Sequence, residues 1–136
     1  MKRGSRKQID PAQHAKYRRV AGSLLQSARD LSGLSDSAYG NAIAIITVHA
    51  SIAYSDALSI RFGGFKSSDG DHTRAVDALQ DALGTRAEAS MLKKLQRVLG
   101  RKDQVSYQGF YFSVLDAQQM LEDLEIFATW AEDLLR

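Results

Sequence analysis

The chain has 136 residues, 44% hydrophobic and 25% charged, a size and balance that fit one folded domain and exclude wholesale disorder. With no cysteine and one proline, it excludes disulfides and thiolate metal sites and favours long, uninterrupted helices. The net charge of +2 hides an asymmetry: residues 1–19 carry +6, from Lys2, Arg3, Arg6, Lys7, Lys16, Arg18 and Arg19 against Asp10 alone, and the remaining residues sum to −4.

Residues 1–9 read as a basic, flexible N-terminal tail, solvated or touching an anionic partner, and residues 10–136 as a single helical domain. No apolar stretch follows the first basic residues, so no export signal is expected and the reading is cytoplasmic. Asp10 as cap with Pro11 at the first helical position opens a helix that ends near Gly33, with Val20, Ala21, Leu24, Leu25, Ala28 and Leu31 at helical spacing. Ser35 or Asp36 then caps a long central helix, which Gly63 and Gly64 break. Its apolar run from Ala42 to Ala53 is shorter than a bilayer span, and no membrane association is expected.

A polar loop over residues 65–71 leads to a third helix, from near Asp71 to Leu83, which Gly84 stops. Thr85 and Glu88 fit a capping box for a fourth helix through Leu92, Leu95, Val98 and Leu99. Residues 101–112 read as irregular. Ser113 with Asp116 starts the last helix, whose apolar stripe is Ala117, Met120, Leu121, Leu124, Phe127, Ala128, Ala131 and Leu135. No stretch alternates like a strand. The expectation is an all-α, up-and-down antiparallel bundle of about five helices.

Within the apolar central helix, His49 and Asp56 lie seven residues apart, which at about 100° per residue places them within roughly 20° of one face. They read either as a hydrogen-bonded core pair that fixes helix register or as two residues facing a shared pocket, with Asn41 farther round. Asp71, His72 and Arg74 gather where a loop enters a helix, an arrangement that suits a cap or an anion. Lys93, Lys94, Arg97 and Arg101 form a second basic cluster at helical spacing, a phosphate-tracking surface or a solvated face. The aromatic residues Phe110 to Phe112 offer a docking loop for another chain as a third possibility. His14, His49 and His72 are isolated, so neither a metal nor a cofactor is expected.

Three segments in this order carry a resemblance: the helix Val48-His-Ala-Ser-Ile-Ala-Tyr-Ser-Asp-Ala57, the loop end Asp69-Gly-Asp-His72, and Arg101-Lys-Asp-Gln-Val-Ser-Tyr107 before an amphipathic helix. Over roughly residues 10–135 the chain resembles the HEPN domain family of prokaryotic helical bundles. The resemblance implies a homodimer linked to nucleotide or RNA metabolism. Some relatives are metal-independent ribonucleases, and some pair with a nucleotidyltransferase in toxin–antitoxin modules. Their signature is an arginine followed after four to six residues by a histidine. Here Arg101 or Lys102 holds the basic position, but Tyr107 stands at the histidine position. With an ordinary pKa of about 10, tyrosine is a poor general base at neutral pH, although it can hydrogen-bond phosphate or stack on a base. The expectation is therefore a non-catalytic module that binds a nucleotide, RNA or a partner protein, with His49, Asp56, Asp71, His72, Arg74, Lys102 and Tyr107 as ligand-binding candidates. The alternative is a metal-independent endoribonuclease using Arg101, Lys102 and Tyr107.

Overall fold

The computed structural model describes residues 5–34 and 36–136, and it is an all-α helical bundle with one small two-stranded sheet. Lys2, Arg3 and the alternative cap Ser35 lie outside the described residues. Asp10 does cap the first helix: its carboxylate accepts the Ala12 N–H at 2.9 Å, and a single 3-10 turn over Pro11–Gln13 runs into α1, His14–Gly33. Asp36 does the same for the next helix, accepting from the Ala38 N–H at 2.9 Å before the turn Ser37–Tyr39 and α2, Gly40–Gly63.

Helix α2 is the axis of the molecule. Ile43, Ala44, Val48, Ala50, Tyr54, Ala57, Leu58 and Ile60 are buried on it, as are Thr47, Ser51, Ser55 and Ser59. An apolar helix without a polar face must be enclosed by others, and α1 and three helices that follow α2 in the chain all pack on it. The turn and helix together, Ser37–Gly63, are long and apolar enough to cross a membrane by length and composition, although 72% of the tested stretch is buried inside the fold. The small residues allow close packing. At Gly40 an added Cβ would lie 2.0 Å from the Phe112 carbonyl oxygen, so no larger residue fits where the start of α2 crosses the chain before the last helix. The Asn41 side-chain amide then fastens that crossing, donating to the Phe110 carbonyl at 2.8 Å and accepting from the Phe112 N–H at 2.9 Å.

Gly64 ends α2 in the left-handed conformation at φ 72°, which glycine adopts without steric cost. Two expectations change here. Residues 6–8 are no flexible tail: β1, Arg6–Gln8, pairs antiparallel with β2, Phe65–Ser67, inside the stretch read as a loop. Arg6 also binds Asp81 at 2.7 Å and lies over the Phe65 ring. Strands of three residues are too short for alternation to register.

Asp71 caps α3, His72–Leu83, by accepting the Thr73 N–H at 2.8 Å, and Gly84 with φ 56° closes it. The capping box expected at Thr85 does not form. Thr85 lies inside a 3-10 turn, Gly84–Arg86; the extended backbone a cap requires comes at Glu88, so α4 spans Ala89–Leu99 without a side-chain cap. The stretch expected to be irregular contains a short helix α5, Lys102–Ser106. Ser113 and Asp116 form the expected reciprocal box that starts α6, Val114–Leu135, and all eight residues of its predicted stripe are buried. Val20, expected in the core, is instead 53% exposed.

Candidate functional site

The β2–α3 connection, α2 and α5 enclose a cleft of about 240 Å³. Four residues singled out from the sequence, Asp56, Asp71, His72 and Lys102, line it from positions up to 46 residues apart, together with Lys66 and Ser67 of β2. The approach loop is shaped by its own side chains. Asp69 accepts the Asp71 N–H at 2.9 Å, and Asp71 accepts the Thr73 N–H, which holds the Asp71 carboxyl below the usual carboxylate range. Arg74 lies 3.7 Å from Asp69 and 3.8 Å from Asp71, so it braces the loop and does not line the cleft.

Asp56 is the most perturbed group in the cleft. Its side chain is 14% exposed, and burial pushes its pKa up to about 6 against the opposing pull of Lys66, whose ammonium is 3.3 Å away. Lys102 makes a long 3.4 Å bond to the Gly70 carbonyl, and the Ser67 hydroxyl is buried without a hydrogen-bond partner. Against the carboxylates of Asp56, Asp69 and Asp71 the cleft sets two ammonium groups, one of them paired with Asp56, and an imidazole, so an anionic or hydrogen-bonding group would be met at Lys102 and His72.

His49 and Asp56 do share a face of α2, as the spacing requires, but they are not a buried pair. His49 is exposed, no hydrogen bond joins it to Asp56 among the described residues, and Asp56 turns to Lys66. Both line a second groove, between α1 and α2, of about 340 Å³, with Lys16, Tyr17, Val20, Leu24, Ile52 and Ala53. The register reading therefore fails for His49, and the pocket reading describes where both residues point.

The Arg101–Tyr107 stretch does not converge on a catalytic centre. The Arg101 guanidinium stacks 4.6 Å from the Phe112 ring centre and its Nε donates to Gln104 at 3.0 Å, which ties it to the buried base of the aromatic loop. Tyr107 is 79% exposed and lines neither cleft. Lys102, one residue on, is turned by α5 toward the β2–α3 cleft instead. The second basic cluster is also divided. Arg97 pairs through two bonds, 2.8 and 3.2 Å, with Asp123 of α6, leaving Lys93 exposed and Lys94 half-buried. Phe112 is fully buried and cannot dock a partner, whereas Phe110, Tyr111 and Leu115 stand exposed beside it.

Lys66 and Ser67 carry no motif that would single them out. They reach the cleft through β2, whose three-residue pairing with residues 6–8 is too short to show in the sequence. Another polar cluster, on the far side of α2, is fully engaged: Tyr54 donates to Glu132 at 2.9 Å, Arg18 binds the same carboxylate, and Arg29 grips Glu125. Burial first, and then this bond, push the Tyr54 phenol well above its ordinary range. Among the described residues no group of three or more His, Asp or Glu side chains is placed to hold a metal ion. No family model, no curated protein and no solved structure matches this chain.

Proposed function

We propose that this chain is a non-catalytic, HEPN-like binding module of the cytoplasm that recognises a phosphate-bearing ligand, a nucleotide or an RNA end, in the β2–α3 cleft. The observation that carries the reading is the convergence of Lys66, Lys102 and His72 on one small cavity. Phosphate oxygens would replace the weak Gly70 contact of Lys102, trading a poor hydrogen bond for a charge-assisted one. Catalysis is disfavoured because Arg101 is stacked on Phe112 and Tyr107 does not line the cleft. Thermal-shift titration with nucleotides tests it: stabilisation is expected and should vanish in Lys102→Ala. Chelator-resistant cleavage of mixed RNA, lost in Lys102→Ala and Tyr107→Phe, would overturn it in favour of the endoribonuclease.

A partner-binding role has its own support. Tyr107, Tyr111 and Leu115, exposed by 79, 68 and 66%, stand with Phe110 within nine residues of chain. Aromatic side chains this dense and exposed favour protein contact. The patch suits a second copy of the chain, as in a homodimer, or a partner of the nucleotidyltransferase type. Sedimentation of wild type against Tyr111→Glu and Leu115→Glu distinguishes these: self-association abolished by the charges supports the homodimer, and a concentration-independent monomer rejects it.

A further inference from the structure

The β2–α3 cleft and the α1–α2 groove meet. Ile52 and Asp56 line both, so the two cavities share one wall of α2. Lys66 stands at the join, its ammonium 3.3 Å from Asp56 and 5.7 Å from the centre of the Tyr17 ring. The halves differ in chemistry. The cleft is ringed by charge, while the groove is walled by Tyr17, Val20, Leu24 and Ile52. Val20 keeps 53% of its surface in water there, although it lies on the same side of α1 as half-buried Tyr17 and Leu24.

We infer that the groove and the cleft are one bipartite site for a nucleoside monophosphate, with the base in the groove and the phosphate in the cleft. The inference rests on the ligand reading above and narrows it. Size supports it first. The cleft, at about 240 Å³, is smaller than the ~300–1,000 Å³ of ordinary ligand sites, whereas the groove adds about 340 Å³. Polarity supports it next: a base offers a flat face to Tyr17 and Ile52 and edge N–H groups to a carboxylate, and Asp56 is the carboxylate at the join. Charge limits the other end. Besides Lys66 and Lys102 the cleft is lined by the carboxylates of Asp69 and Asp71, which would repel further phosphates. A monophosphate therefore fits better than a triphosphate.

Calorimetric titration of the full chain with the four common nucleoside monophosphates, ribose 5-phosphate and inorganic phosphate tests this. At least one nucleotide is expected to bind about tenfold or more tightly than ribose 5-phosphate, and its triphosphate more weakly than its monophosphate. Val20→Glu, at an exposed wall position that leaves the core intact, should erase the nucleotide's advantage and leave ribose 5-phosphate binding unchanged. Lys102→Ala should weaken every phosphate ligand. Equal binding of nucleotide and ribose 5-phosphate, or an advantage that survives Val20→Glu, overturns the base groove while the cleft reading stands. No binding by any of these ligands overturns both.

Discussion

Asp56 shows how one buried carboxylate ties stability to pH. Its pKa of about 6 in the fold exceeds the ~3.9 of an unfolded aspartate, so between those values the folded chain holds a proton the unfolded chain has released. The sign follows: acid favours the fold, and that advantage is lost as pH rises from ~4 through about 6. Asp56→Asn is expected to stabilise the chain by about 2 kcal/mol at pH 7.5 and to leave it unchanged at pH 4, as urea unfolding at both values would report. Lys66, a quarter exposed, can turn to water when its partner is neutral. Substitution at Tyr54 acts the other way, because its hydroxyl is satisfied. Tyr54→Phe strips one bond from Glu132, which keeps Arg18, and should cost about 1–2 kcal/mol in the same measurement.

At the scale of elements, the helix boundaries were legible where a side chain makes the cap. Asp10, Asp36, Asp71 and the Ser113–Asp116 box all sit where the residue types place them, because each short oxygen reaches a free N–H two or three residues on. Ser113→Ala should therefore cost about 1 kcal/mol, seen as a lower urea midpoint with an unchanged slope. Thr85 and Glu88 have the same residue types and make no box, since the turn after Gly84 spends Thr85 in a 3-10 conformation. Local pattern cannot announce that choice. Nor can it announce Gly40, whose role depends on Phe112, 72 residues away. Gly40→Ala is expected to cost about 3 kcal/mol or more, because the clash is with backbone that Asn41 holds in place. The candidate site was half legible for the same reason. Asp56, His72 and Lys102 carry recognisable chemistry, while Lys66 and Ser67 acquire theirs from a strand partner nearly sixty residues upstream.

For the molecule as a whole, the bundle is organised around α2, and the small sheet joins the first described residues to the edge of the cleft. β1 adds hydrogen bonds, the Arg6–Asp81 pair and the Arg6–Phe65 contact, none of them deeply buried. Removing residues 1–8 should leave the bundle folded and lower its melting temperature by about 3–6 °C, equivalent to roughly 1 kcal/mol. The pairing also makes the N-terminal strand a gauge of the site. Lys7 lies directly opposite Lys66 in the ladder, so whatever fixes Lys66 also fixes the backbone that a protease must peel away before cutting. Trypsin cleavage after Arg6 and Lys7 should slow as the cleft fills, so that occupancy of a cavity buried against α2 can be read as the survival of two peptide bonds at the chain's edge.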